Sequence, residues 1–155
     1  MILTLKNGTN IKLEWNYLVL EYLEEREGSI ELLQDRINEL NTRSQVRLSN
    51  SFVYAVIQAN HDDVLTYKQA IRLVNPNDYA KVFNFIKKQL EIQKAYKKRN
   101  IQEIWKPQSE KEATIDWAQL KFTAIKVGLS ENEFMHMNPI EFNEIVRLYL
   151  ELEKQ

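Results

Sequence analysis

Apolar residues recur along this chain first with period two and then with period three to four. Leu3 and Leu5 alternate with Thr4 and Lys6, and Ile11 and Leu13 alternate with Lys12 and Glu14. That is the pattern of two half-buried strands. Asn7-Gly8 lies between them and supplies a turn, since both residues tolerate positive φ. A two-residue turn would pair Leu3 with Lys12 and put the apolar faces out of step. Pairing Leu5 with Ile11 and Leu3 with Leu13 instead requires a loop of three or five residues. Two strands alone are marginal, so the hairpin must lie on helices or join a neighbour's sheet. Its open edges make it a candidate assembly device.

Everything after Trp15 reads helical. Asn16 to about Glu27 forms a helix closed by Gly28, and Ile30, Leu33, Ile37 and Leu40 give a second. A third runs from Thr42 to about Asn60 with Val46, Phe52, Val53, Val56 and Ile57 inward. Thr66-Tyr-Lys-Gln69 is a capping box opening a short fourth helix with Ala70, Ile71 and Val74. Asn75-Pro76 restarts the chain into a fifth helix, which carries Tyr79, Val82, Phe83, Ile86 and Leu90 on one face. The polar stretch Trp105 to Glu112 contains a proline and no apolar stripe, so 105–113 reads as a linker between 1–104 and a small unit, 114–155. In that unit a helix from Thr114 to Val127 stops at Gly128. The capping box Ser130-Glu-Asn-Glu133 opens a short helix, and Asn138-Pro139-Ile-Glu141 opens the last. The expected fold is therefore mainly α: an N-terminal β-hairpin, a bundle of about five helices, a linker, and a three-helix C-terminal unit. Three short helices are a small core, so this unit is expected to dock on something.

Composition narrows the function more than the fold. The 155 residues are 44% apolar and 28% charged with a formal net charge of −1, an ordinary globular balance for one domain with a small appendage. No apolar run approaches the roughly 18 residues of a membrane span, and the N-terminus lacks a signal-peptide pattern. Zero cysteines exclude disulfides and thiol chemistry. The expected location is intracellular.

With two histidines and three scattered glycines there is no phosphate loop, nucleophile elbow or zinc-helix motif. His61-Asp62-Asp63 reads as a polar interhelical turn, His136 as a core-edge residue, and Glu24, Glu25 and Glu27 as a solvated helix end. No enzyme, metal or cofactor is expected. Charge is uneven: residues 81–106 carry eight bases against Glu91 and Glu103, between acidic flanks. Lys87, Lys88, Lys94, Lys97, Lys98 and Arg99 form a solvated helix face, an electrostatic contact, or a nucleic-acid surface. In the C-terminal unit Trp117, Leu120 and Ala124 share one helix face, and Ala118, Phe122, Ile125 and Leu129 the next. The last helix adds Phe142, Ile145, Val146, Leu148, Tyr149 and Leu152. This is more apolar perimeter than three helices bury among themselves, which points to core, to a partner-binding face, or to both.

The chain resembles the tail assembly chaperones of long-tailed phages with non-contractile tails. Residues 1–95 carry the likeness in the hairpin, in Tyr17, Leu20 and Leu23, in Gly28-Ser-Ile-Glu-Leu-Leu33 and in Leu65-Thr-Tyr-Lys-Gln-Ala-Ile71. Residues 114–150 carry it in Asp116-Trp117, Gly128-Leu-Ser130, Glu133-Phe134 and Met137-Asn-Pro-Ile-Glu141. In that family an aromatic often follows the Glu-Phe pair; here Met135 stands there.

The resemblance implies a non-enzymatic role. Such chaperones keep the tape measure protein soluble, associate into multimers, recruit the major tail tube protein through their C-terminal part, and leave before the tail is finished. A protein of this kind works in the bacterial cytoplasm and is not expected in the mature virion. Two units joined by a linker resemble the long, frameshift-type product. Partner contacts are expected at Trp117, Phe122, Phe134, Met135, Met137, Phe142 and Tyr149, and no cofactor is implied. The competing expectation is a small helical DNA-associated or regulatory protein that uses the basic 87–99 segment.

Overall fold

A computed structural model describes residues 1–99 and 114–154. The expected linker at 105–113 and the side chains of Lys98 and Arg99 lie outside the described residues. In chain order the elements are β1 (Ile2–Thr4), β2 (Asn10–Lys12), α1 (Tyr17–Glu27), α2 (Ile30–Ile37), α3 (Thr42–Asn60) and α4 (Tyr67–Leu73). A 3-10 turn (Pro76–Asp78) leads into α5 (Tyr79–Arg99), and α6 (Trp117–Lys126), α7 (Glu131–Met135) and α8 (Pro139–Glu153) follow. The fold is mainly α with an N-terminal hairpin, as the sequence predicts.

The hairpin differs from expectation in register. Leu3 opposes Ile11, and Thr4 opposes Asn10. Leu5 N–H donates to the Thr9 carbonyl at 2.8 Å, and Gly8 N–H donates to the Leu5 carbonyl at 2.9 Å. The turn is thus a three-residue loop, Lys6-Asn7-Gly8, with Gly8 at φ 86°. A three-residue loop ending in a left-handed glycine fixes the register two residues short of the expected one. An even shift keeps the faces in step, and Leu3, Leu5, Ile11 and Leu13 are all buried. Lys6 N–H also donates to the Leu73 carbonyl at 2.8 Å, tying the hairpin to the end of α4.

Helix ends follow the local chemistry. Asn16 Oδ1 accepts the Val19 N–H, and Gly28 closes α1 at φ 79° with its N–H on the Glu24 carbonyl. Thr66/Gln69 and Ser130/Glu133 form reciprocal capping boxes. Asn75 precedes the 3-10 turn without a side-chain cap bond. The helix α6 starts at Trp117 instead of Thr114, because Asp116 caps Gln119 N–H and the Ile115 N–H is taken by the Glu24 carboxylate.

The core is centred on α3, which packs against α1, α4 and α5. Phe52, Val53, Val56 and Ile57 are fully buried, but Val46, expected inward, is 58% exposed. Six residues before Phe52 places Val46 about 120° round the helix from the buried arc. Trp15 crosses from the hairpin to α5, its Nε1–H on Gln93 Oε1 at 3.0 Å within the core. The C-terminal helices join the same apolar cluster, through Leu120, Ala124, Phe134, Met135, Phe142 and Val146.

Candidate functional site

The residues expected to meet a partner divide into a docked group and an exposed one. Phe134 and Phe142 are wholly buried, and Met135 nearly so. Both phenylalanines pack on Tyr17 of α1: Phe134 stacks on it at 4.4 Å between centroids, and Phe142 meets it edge-on at 5.7 Å. Trp117, half-buried, meets the same ring edge-on at 6.0 Å. Met137 contributes its carbonyl, which accepts the Tyr17 N–H at 3.2 Å. The rings of Phe134, Phe142 and Trp117 are therefore occupied in holding α6–α8 to the body, because Tyr17 offers them a fully buried aromatic partner. Tyr149 is half-buried, and Phe122 stands 66% exposed.

Two further residues of α1 hold this docking, Glu24 and Tyr17, while a third, Glu27, ties α1 to α2 and α3. Glu24, expected to be solvated, accepts from Ile115 N–H at 2.8 Å and from Trp117 Nε1–H at 2.9 Å. Glu27, expected in the same solvated helix end, has a side chain only 2% exposed. It accepts from Arg47 at 3.0 Å and Ser51 Oγ at 2.7 Å, with Arg36 at 3.7 Å. Tyr17 lies at the centre of the aromatic cluster, and its hydroxyl is buried with no hydrogen-bond partner among the described residues. Burial first, and then nearby Tyr96, push that phenol well above its usual range. The partners of Glu24 lie more than 90 residues away, so no local signal marks it.

A second tie joins α5 to α8. Tyr96 OH donates to Glu144 Oε1 at 2.7 Å and accepts from Asn143 Nδ2 at 2.9 Å. Arg147 closes on the other Glu144 oxygen and also reaches Glu151 at 3.5 Å. The Tyr96 hydroxyl, then Arg147, hold the Glu144 carboxyl below the ordinary range.

The described lysines of α5 have different surroundings. Lys97 pairs with Glu31 of α2 at 3.5 Å. Lys87 and Lys94 flank Glu91 along a cleft of about 70 Å³ that α2 completes with Gln34, Ile37 and Asn38. Lys88 is exposed. His61 binds its own loop, accepting from Asp63 N–H at 3.1 Å. His136, expected at the core edge, is exposed at the end of α7, because the turn there points it outward with Nδ1 on the Asn132 carbonyl at 2.9 Å. Among the described residues no group of three or more His, Cys, Asp or Glu converges as for a metal ion. No described helix is long and apolar enough to cross a membrane.

Two apolar features remain open, a groove and a pair of helix faces. A groove of about 590 Å³ runs between α3 and the start of α5. Val46, Pro76, Tyr79, Ala80 and Phe83 supply its apolar lining, and Thr42, Gln45, Ser49, Asn50 and Asn84 its hydroxyl and amide groups. No charged side chain lines it, although 28% of the chain is charged. Its floor is fixed: Tyr79 OH donates to the Ile71 carbonyl at 2.7 Å, and Phe83 packs on Phe52 at 5.2 Å. On α6 and α8 Phe122, Ile125, Leu148 and Leu152 are 53–67% exposed.

Comparisons with family models, curated proteins and solved structures found no match. The surfaces suit binding of apolar helical segments, with amides positioned to accept or donate at the edges of a helix but not to select a charge.

Proposed function

We propose that the protein is a phage tail assembly chaperone that keeps the tape measure protein in solution and recruits tail tube subunits through its C-terminal helices. The observation that carries the proposal is the uncharged groove between α3 and α5. A long helical client in solution must hide apolar stripes, and a reversible holder needs a preformed apolar channel that does not impose a specific ion pair. Val46 on one wall and Ala80 on the other, over a floor of Tyr79 and Phe83, supply that channel. The Gln45, Asn50 and Asn84 amides match the polar flanks of an amphipathic helix. The sequence resemblance supplies the client's identity.

The test is co-expression of the full chain with the tape measure protein, scoring the client's soluble fraction. Val46 and Ala80 are exposed on the groove walls, so Val46→Asp with Ala80→Glu places charge in the channel without touching the core. The wild-type chain should hold the client in the supernatant, and the double variant should release most of it to the pellet. Equal solubilisation by both would remove the groove from the account. Failure of the wild-type chain would remove the chaperone reading itself.

A further inference from the structure

Two guanidinium groups meet on the buried carboxylate of Glu27 and leave one positive charge over. Arg47 Nη1 donates to both Glu27 oxygens at 3.0 Å, and Ser51 Oγ donates to Oε2 at 2.7 Å. From α2, Arg36 Nη2 donates to the Glu27 carbonyl at 2.9 Å, and its Nη1 stands 3.7 Å from Oε1. The Glu27 side chain is 2% exposed, whereas those of Arg36 and Arg47 are 42% and 57% exposed. One buried carboxylate thus orders two guanidiniums that still reach solvent. Arg36 Nη1 and the Nε and Nη2 groups of Arg47 donate no hydrogen bond among the described residues.

Both arginines line one cavity of about 160 Å³ between the end of α2 and the first turns of α3, together with Glu39, Leu40, Ser44 and Leu48. Leu48 is buried and Leu40 half-buried, so one wall is apolar, which strengthens charge interactions beside it. The Ser44 hydroxyl is engaged in the cap of α3, accepting from Asn41 N–H at 3.0 Å and donating to the Asn41 carbonyl at 3.2 Å. The donors left for a ligand are therefore the two guanidiniums.

We infer that this cavity binds a phosphate group between Arg36 and Arg47, as inorganic phosphate or as the end of a small phosphomonoester. Guanidinium edges match phosphate oxygens, and Glu27 already holds both groups, so little side-chain entropy is lost on binding. Glu39 on the rim selects among oxyanions. It is exposed and forms no ion pair among the described residues. A carboxylate ligand brings one charge and two oxygens, no more than Glu39 itself offers at the same place. Phosphate brings up to two charges and further oxygens, enough to engage both guanidiniums at once. With Glu39 counted, the four side-chain charges cancel, so binding should be weak, in the millimolar range. The cavity shares no lining residue with the groove between α3 and α5, and the inference does not depend on the chaperone reading.

Amide NMR of the full chain, titrated with sodium phosphate at an ionic strength held constant with chloride, tests it. The signals of Leu40, Ser44 and Arg47 should shift saturably and with one dissociation constant, and acetate at the same concentrations should not move them. Phenyl phosphate separates the two sources: tighter binding than inorganic phosphate marks a phosphomonoester site, and weaker binding marks a site for the free ion. Glu39→Gln removes a like charge from an exposed side chain and should tighten phosphate binding about two- to fivefold. Arg47→Lys keeps a cation beside Glu27 but loses the planar fork, and should weaken binding several-fold. If circular dichroism shows that Arg47→Lys fails to fold, Glu39→Lys takes its place and should tighten binding beyond Glu39→Gln. Shifts that do not saturate, an equal response to acetate, or unchanged affinity in Glu39→Gln overturns the inference.

Discussion

Replacing Tyr17 by Phe removes one oxygen and leaves the aromatic cluster in place. That oxygen is buried with no hydrogen-bond partner among the described residues. A buried, unpaired polar group costs about 1–3 kcal/mol of desolvation. Tyr17→Phe should therefore be neutral or stabilise the protein by about 1 kcal/mol. Tyr17→Ala acts the other way. It removes a ring that is 0% exposed and packed against Phe134, Phe142 and Trp117. Loss of a buried aromatic to alanine costs about 3–5 kcal/mol. For a chain of this length each kcal/mol moves the melting temperature by about 2–4 °C.

Urea unfolding followed by circular dichroism and by tryptophan fluorescence measures both variants. Coincident transitions and an unchanged denaturant slope are the conditions for comparing midpoints. Tyr17→Phe should move the midpoint up or not at all, and Tyr17→Ala should move it sharply down. A loss of more than about 1 kcal/mol in Tyr17→Phe would show that the hydroxyl makes a stabilising hydrogen bond, refuting the reasoning.

Three further outcomes follow from individual side-chain hydrogen bonds. Glu24→Ala strands the Ile115 N–H and the Trp117 Nε1–H. It should cost about 1–3 kcal/mol and raise hydrogen exchange over 115–126, with Glu24→Gln, which keeps an acceptor oxygen, losing less. Thr66→Ala removes the acceptor for Gln69 N–H and should cost about 0.5–2 kcal/mol, measured by the same urea titration. The Glu144 carboxyl is held below its ordinary range by Tyr96 and Arg147, so its contribution is present above the unfolded-state value and fades as pH falls through the depressed one. Exchange protection of α8 should accordingly weaken below the ordinary Glu range, and that dependence should disappear in Glu144→Gln.

The features legible from sequence are those whose causes lie within a few residues. Asn16, Thr66, Ser130 and Asn138 cap helices by bonding N–H groups two or three residues ahead, so composition and order suffice to place them. The strand faces follow from period two, but register depended on the left-handed Gly8 and on the link to Leu73, which a pattern of apolar residues does not encode. Val46 sits in an apolar-rich helix yet faces the groove. Glu24 and Glu27 are local in appearance and long-range in partnership.

The aromatic residues of the C-terminal unit show the same limit. Period three to four separates the Trp117–Leu120–Ala124 face from the Ala118–Phe122–Ile125 face. Only the position of Tyr17 shows that the first is the docked one. The uncharged groove was invisible because it is assembled from two helices whose residues are unremarkable apart.

Photo-crosslinking from the groove tests the central claim most directly. A photoreactive residue placed at Val46, on the groove wall, is compared with one at Val64, which is 93% exposed outside it. Both full-length chains are co-expressed with the tape measure protein and irradiated. The account predicts covalent adducts to the tape measure protein from position 46, and few from position 64. A soluble tape measure protein that gives no adduct at 46, or gives it equally at both positions, would contradict it.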